Sequence, residues 1–241
     1  MGLLTEHTGR VAVWGKDPAD RGSAYYQRVG VSFELPNLYH KLTAPENLEF
    51  FASLYAGPTE DPMALLDAVD LVADAGTRVG RFSKGMQMRL VFIRSLLHRP
   101  ELLFLDEPTS GMDPVNARRV KDLIRGMREQ GRTVFLTTHD MATAEELCDR
   151  VAFVVDGRIA ALDTPAEHKV RRSRRTVRVT YRSGEREAVM SSLASKDFPL
   201  DGLADDDAFR DLAREHRVEA LHSQEGSLED VFIDVTGRTL A

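Results

Sequence analysis

The sequence is poor in cysteine, in long apolar runs and in surplus positive charge. A single cysteine, Cys148, cannot build a disulfide framework, so a reducing compartment fits the composition. No run approaches the roughly 18 apolar residues that a membrane-crossing helix needs. Asp and Glu number 38 against 32 Lys and Arg, which argues against a nucleic-acid partner because phosphate-binding surfaces are usually basic. If the protein serves a membrane process, we expect another chain to supply the membrane part.

Short apolar runs alternate with segments of helical periodicity in the first two thirds of the chain. This alternation predicts an α/β fold with a parallel sheet. The continuous apolar run before Asp106 is typical of a strand that is buried on both faces. N-capping patterns at Thr43, Asp61, Ser83 and Asp113 predict helix starts. The predicted strands cover Gly9–Trp14, Val29–Glu34, Glu101–Asp106 and, as a second buried strand, Thr133–Thr138.

The pattern changes near residue 170. A hairpin is predicted just before it, from Val151 to Leu162, with its turn at Asp156-Gly157. After it come the charge run Arg171–Arg175, an alternating segment, a helical segment and a final helix capped by Ser227. We therefore predict two domains, residues 1–168 and a small α+β domain at 169–241. The charge run is interpreted as a solvated linker, with contact to anionic lipid as the alternative.

Two adjacent carboxylates, Asp106 and Glu107, end the apolar strand that begins at Leu102. The carboxyl ends of parallel strands are where open α/β sheets bind ligands. Asp106 is suited to hold Mg²⁺, usually through water, and Glu107 to polarise an attacking water. Taken alone, the pair fits a strand that ends in two solvated acids equally well.

Three further segments stand in a fixed order around these acids. Residues 82–89 read FSKGMQMR, with Ser83 as a helix cap and Gly85 allowing close approach of a phosphate. Downstream, residues 110–114 read SGMDP, and residues 137–140 read TTHD after the second predicted buried strand. His139 could contact a γ-phosphate and orient the water. Each segment also has a plain structural interpretation, as a capped helix, a turn or a surface histidine.

Together, the four segments resemble the motifs of the ABC transporter ATP-binding subunits: signature, Walker B, D-loop and switch. The resemblance implies an α/β P-loop fold with a helical subdomain, and ATP and Mg²⁺ as ligands. Glu107 would be the general base and His139 the γ-phosphate contact. Asp106, Ser83, Gly85 and Asp113 would bind ATP, with Asp106 also serving the metal.

The same resemblance implies partners. Two ATP-binding subunits, identical or different, would close head to tail around ATP, and separate integral-membrane permease subunits would be driven by that closure. Val29–Tyr39 looks like the loop that contacts the permease, with Glu34 as its coupling residue, and the C-terminal helix is similar to that of drug, antibiotic and lipid exporters. The implied location is cytoplasmic, on the inner face of the cell membrane.

Three departures from the family pattern bear on activity. Lys84 and Met86 replace a glycine and a glutamine, a variant familiar in the exporter branch. Glu34 replaces a glutamine; it could still bind the metal, but an ionised carboxylate cannot donate a hydrogen bond. No G-x-x-x-x-G-K-[ST] phosphate loop occurs in the printed sequence. We therefore expect a chain that is truncated before Met1 and binds nucleotide very weakly alone.

Two alternatives follow from these departures. The first is a non-catalytic or relic subunit that only lends its signature segment to an intact partner. The second is one of the family's soluble members in translation or DNA repair. Those members usually carry paired ATPase units or long inserted arms, which the sequence lacks.

Overall fold

A computed structural model describes residues 8–17, 22–172, 176–183, 192–215, 217–224 and 226–237. The chain divides into two compact units, residues 1–139 and 140–241. In the part of the chain that the structure describes, no helix is both long and apolar enough to cross a membrane. The residues before Thr8, residues 173–175 of the charge run and His216 at the end of a predicted helix lie outside this part.

A parallel three-stranded sheet organises the first unit. Its strands are β1 (Val29–Ser32), β2 (Leu102–Asp106) and β3 (Thr133–Thr137), in the order β1-β2-β3. All pairings are parallel, and Leu105 of β2 is in register with Ser32 and Leu136. Parallel neighbours need crossover connections, and helices supply them here. The predicted α/β class is confirmed.

Helices of the first unit begin where the capping patterns predict. After α1 (Ser23–Tyr26), the four longer helices follow Thr43, Asp61, Ser83 and Asp113, and each cap side chain accepts a backbone N–H. Thr43 and Glu46 form the reciprocal capping box. These helices are α2 (Ala44–Ala52), α3 (Pro62–Ala68), α4 (Lys84–Arg94) and α5 (Pro114–Glu129).

Only one face of the central strand β2 is buried, and β3 has no fully buried residue, so the prediction of strands buried on both faces was wrong. Leu103 and Leu105 are buried, and Ser95 at the end of α4 lies against Gly30 on that same face. The opposite face carries Phe104 and Phe135, whose ring centroids are 5.7 Å apart, and Phe135 is 58% exposed. A continuous apolar run does not reveal which face of the sheet other elements cover, because it places apolar residues on both faces of the strand.

The N-terminal strand prediction, Gly9–Trp14, was also wrong. Val13 and Lys16 exchange two backbone hydrogen bonds of 2.9 and 3.1 Å around Trp14 and Gly15, both at positive φ. Two consecutive residues at positive φ reverse the chain as in a type I′ turn, so the segment does not continue as one extended strand. Likewise, β1 ends at Ser32, two residues short of Glu34.

The second unit contains a hairpin, a three-stranded antiparallel sheet and four helices within its described residues. The predicted hairpin is confirmed, with Asp156 and Gly157 at positive φ in its turn. The antiparallel sheet has the order β7-β6-β8, and sequence patterns gave no indication of β7. In chain order the elements are α6 (Met141–Leu147), β4 (Val151–Val155), β5 (Arg158–Asp163), α7 (Pro165–Arg172), β6 (Thr176–Ser183), β7 (Ser192–Pro199), α8 (Asp207–Glu215), β8 (Arg217–Gln224) and α9 (Leu228–Thr236).

Two apolar clusters hold this unit together. One joins Val177, Val179, Phe198 and Leu212 around the antiparallel sheet. The other packs α9 on α6 and the hairpin through Ala144, Val151, Phe153, Leu228 and Val231. The final helix thus shares a core with residues that the sequence pattern placed in domain 1–168. The boundary at residue 168 stays a prediction.

We predict that Leu103→Ala lowers the free energy of unfolding by about 2–5 kcal/mol, because it leaves a cavity in the packed face of β2. Urea unfolding followed by circular dichroism measures the change. Leu54→Ala is the matched control, since Leu54 is 64% exposed, and should change stability by less than about 0.5 kcal/mol. A loss below about 1 kcal/mol for Leu103→Ala would contradict this description of the core.

Candidate active site

The two acids lie where β2 and β3 end side by side. Asp106, the last residue of β2, is in register with Thr137, the last residue of β3. The Thr137 hydroxyl donates a short hydrogen bond to Asp106 Oδ1. Asp106 is exposed at this edge. One oxygen of Asp106 is therefore oriented by the neighbouring strand.

Glu107 turns out of the strand with φ at +46°, in the left-handed region. Its backbone N–H donates to Thr137 O at 3.0 Å, so the chain stays attached to β3. Its carboxylate accepts from the Thr138 hydroxyl at 3.1 Å and from the His139 backbone N–H at 2.8 Å. A non-glycine residue at positive φ is uncommon and is often found at functional sites.

His139 completes this group. Its Nδ1 lies 2.8 Å from Glu107 Oε1, and because an ionised carboxylate only accepts, Nδ1 carries the proton in this contact. The Glu107 side chain is 16% exposed, whereas that of His139 is 71% exposed. The carboxylate is held in place, while the imidazole has room to turn toward solvent or a ligand.

Ser83 and Gly85 lie at the start of α4, where Ser83 is the N-cap and Gly85 belongs to the first turn. Ser83 Oγ accepts the Met86 N–H at 3.2 Å, which caps the helix. A Cβ added at Gly85 would lie 3.3 Å from Gly111 O and 3.8 Å from Met112 Cα. The glycine thus lets the helix start approach the loop that follows the acids. Within one chain, the structure describes no hydrogen bond that joins Ser83 to Asp106 or Glu107.

Asp113 caps α5 with both carboxylate oxygens. Oδ1 accepts from the amides of Val115 and Asn116 at 3.1 and 3.0 Å, and Oδ2 from the Asn116 side chain at 2.5 Å. The Asn116 side-chain bond, followed by the Asn116 amide bond, lowers the pKa of the Asp113 carboxyl below its ordinary value. Helix capping accounts for this aspartate in the structure, and its ATP contact stays a prediction.

Glu34 lies two residues beyond the end of β1, in an exposed bend. Because β1 and β2 are parallel neighbours, Glu34 and Asp106 follow strands that end at the same edge of the sheet. This position is compatible with the predicted metal and permease roles, which stay predictions.

Sequence reasoning missed Thr137 and Thr138 as functional side chains. Each hydroxyl orients one of the two acids, Thr137 for Asp106 and Thr138 for Glu107. The signal was present as two threonines at the end of a strand parallel to the one bearing two acids. Only the register between β2 and β3 shows which hydroxyl serves which carboxylate.

Comparison with known proteins agrees with this geometry. Residues 1–110 match the family model described as ABC transporter, and residues 175–225 match the fluoroquinolone efflux ABC transporter C-terminal domain. A fluoroquinolones export ATP-binding protein of Mycobacterium tuberculosis is 64% identical over 240 residues, covering 100% of this chain and 78% of that protein. The chain belongs to the ABC transporter ATP-binding family.

Solved structures support the same fold. The ATP-binding subunit of an ABC transporter superposes with a TM-score of 0.63 at 27% identity, covering 70% of this chain and 72% of that one. A dimeric ATP-binding cassette in a post-hydrolysis state with ADP and Pi has a TM-score of 0.57 at 23% identity, covering 63% and 71%. The family resemblance and the fold inferred from the motifs are therefore confirmed.

For this ABC subunit, we predict that Asn116→Ala raises the pKa of the Asp113 carboxyl toward its ordinary value, because the largest cause of its depression is removed. Side-chain carboxyl NMR titration measures the shift. Since the folded-state pKa is depressed, the cap stabilises α5 above the ordinary aspartate pKa, and its contribution is lost as pH falls through the lowered value. Asn37→Ala, which removes the partner of Arg94 instead, should leave the Asp113 titration unchanged; an equal shift in both variants would contradict the assignment.

Proposed function

We propose that this chain is the ATP-hydrolysing subunit of an ABC exporter and acts through a separate membrane permease. The observation that carries the proposal is the arrangement of Asp106 and Glu107 at one sheet edge, oriented by Thr137, Thr138 and His139. Export is supported by the name of the relative that is 64% identical.

Asp106 is the proposed Mg²⁺ residue. One of its oxygens is oriented by Thr137, and the side chain is exposed at the sheet edge. Among the described residues, no group of three or more His, Cys, Asp or Glu side chains could hold a metal. This fits Mg²⁺, which typically takes one or two carboxylates and fills its remaining positions with water and phosphate oxygens. Glu34 is the second candidate carboxylate, and the ion would neutralise charge on the phosphates.

Glu107 is the proposed general base for the attacking water. Its carboxylate accepts three hydrogen bonds and is largely shielded from solvent, so its position is fixed before substrate arrives. A base must lie within hydrogen-bond reach of the proton that it removes. Turning the exposed His139 ring toward a γ-phosphate would free one acceptor position on Glu107 Oε1 for the water, while the His139 backbone N–H continues to donate to the same oxygen.

The placement of Ser83 and Gly85 supports a site shared between two subunits. They form a capped helix start with free amides, which suits a phosphate. Among the described residues, no hydrogen bond joins Ser83 to Asp106 or Glu107, since Ser83 Oγ caps α4 instead. In a head-to-tail dimer, this first turn would meet the triphosphate bound to the partner, and closure around ATP would link hydrolysis to transport.

An exposed aromatic group supports a permease contact, and with it a position at the inner face of the cell membrane. The rings of Tyr39, Phe50 and Phe51 pack edge to face or tilted at 4.8 to 5.8 Å, and Arg94 lies 4.4 Å over Phe51. Tyr39 is 48% exposed and Phe50 42%. The Asn47 side chain bonds both N–H and C=O of Tyr39, so the loop after Glu34 is held against α2.

We predict that Glu107→Gln lowers ATP hydrolysis by about 10²- to 10⁴-fold, the usual contribution of a general base. Hydrolysis is measured with the chain alone and with its permease and an intact ABC ATP-binding subunit, since the printed sequence contains no phosphate-loop motif. We expect very weak activity of the chain alone. Glu129→Gln, in the last turn of α5, is the control and should retain the activity of the unsubstituted assembly.

The second candidate is a non-catalytic subunit that lends only its signature segment to a partner's ATP. A capped helix start at Ser83 and Gly85 in a sequence without a phosphate-loop motif favours it as a second possibility. In that case Glu107→Gln would leave hydrolysis unchanged, whereas Gly85→Val, which fills the space at the helix start, would abolish it. Loss of activity in both variants supports the catalytic role, and no effect of either contradicts both candidates.

We predict that Phe50→Glu weakens association with the permease at least about tenfold, because a charge replaces an exposed aromatic side chain at the proposed interface. Binding is measured with permease in nanodiscs. Leu193→Glu, at a 64% exposed apolar residue of β7, is the control. Equal affinities for the two variants would exclude the aromatic group as the contact.

A further inference from the structure

The Lys84 side chain lies across the loop that follows the acids. A Cβ added at Gly111 would meet Lys84 Cδ and Cε at 3.3 Å and Nζ at 3.6 Å. Gly111 has φ of +70°, a conformation that favours glycine. Lys84 is the first residue of α4 and stands where the family consensus has glycine. A glycine there could not make this contact.

Helix stability does not explain a lysine at this position. The amino end of a helix carries partial positive charge, so a lysine in the first turn is electrostatically unfavourable. No acidic residue in the first turn of α4 offsets it, and among the described residues no carboxylate pairs with the Lys84 ammonium group. The structure instead places the Lys84 side chain beside Gly111.

The loop beneath Lys84 leads directly to the proposed base. Glu107 O accepts the Ser110 N–H at 3.1 Å, and Thr109 O accepts the Met112 N–H at 3.3 Å. These two bonds close overlapping turns over residues 107–112. The turns connect Gly111 to the backbone of Glu107.

The rest of α4 is anchored in the same unit. Arg89 is buried, and its Nη1 donates to Val69 O at 2.5 Å and Asp70 O at 3.1 Å. Burial lowers the pKa of Arg89, while the charges of Asp70 and Asp113 oppose that shift. The helix is thus fixed at its middle, and its first turn contacts the loop through both Lys84 and Gly85.

We propose that Lys84 is a positioning residue that couples the first turn of α4 to Glu107 through Gly111. This inference rests on the proposed function: when the first turn of α4 meets a partner's nucleotide, the Lys84 stem holds the 107–112 loop, and the Glu107 carboxylate, in the hydrolytic geometry. The aliphatic stem carries the effect, because Cδ and Cε are the Lys84 atoms that lie nearest the Cβ position of Gly111.

Amide hydrogen exchange of the full 241-residue chain, measured without nucleotide, tests the contact between Lys84 and the Gly111 loop. Lys84→Ala removes the stem and should increase the exchange rate of the Ser110 and Met112 amides at least about fivefold. Without the side chain beside it, the turn should open to solvent more often. Lys84→Met retains an unbranched apolar stem and should stay within about twofold of the unsubstituted chain. Lys41→Ala, in an exposed turn, is the control; equal exchange in all four proteins would overturn the inference.

ATP hydrolysis by the assembly with permease and an intact ATP-binding subunit tests the coupling. Lys84→Ala should lower kcat about tenfold with KM unchanged, because the base is misplaced after nucleotide is bound. Lys84→Met should restore most of kcat. An active assembly in which Lys84→Ala has no effect, or raises only KM, overturns the inference alone, whereas an unsubstituted assembly that hydrolyses no ATP contradicts the proposed function.

Discussion

Parallel pairing of β2 with β3 brings the candidate site residues of the first unit to one edge of the sheet. With Asp106 in register with Thr137, the acids that end one strand lie beside the hydroxyls and imidazole that end the next. A shift of one residue would turn every β2 side chain to the opposite face. Asp106 would then lose Thr137, and Leu103 would leave the buried face. The buried side chains that fix the register thus also fix the site.

Glu107 shows how such a site is held without substrate. Its backbone leaves the strand at positive φ but keeps a hydrogen bond to Thr137, and three donors from residues 138 and 139 hold its carboxylate. The backbone N–H and the threonine hydroxyl belong to the two residues directly after β3. The imidazole is exposed, whereas the carboxylate that it contacts is largely shielded from solvent.

Two glycines of the first unit allow close approach of the backbone. Gly85 and Gly111 allow the start of α4 and the loop after the acids to approach, and Lys84 fills the remaining space. The signature segment at the start of α4 and the segment that follows the acids thus lie against each other, although the strand β2 separates them in the sequence. The start of α4 and the loop after the acids therefore lie close together in one chain.

Sequence alone determined the helix starts and the hairpin turn. These are local properties: Thr43, Ser83 and Asp113 cap helices with their own side chains, and Asp156-Gly157 favours one turn type. It failed at Gly9–Trp14 and at the two-sided burial of the sheet, because a strand and its burial depend on neighbours that a short segment does not contain. The final helix was predicted correctly, but its packing on the hairpin was not. An apolar face on a helix does not indicate which element will cover it. Only the tertiary structure decided which threonine orients which acid and that Lys84 lies on Gly111, because these contacts join residues about 30 positions apart through strand register and close backbone approach.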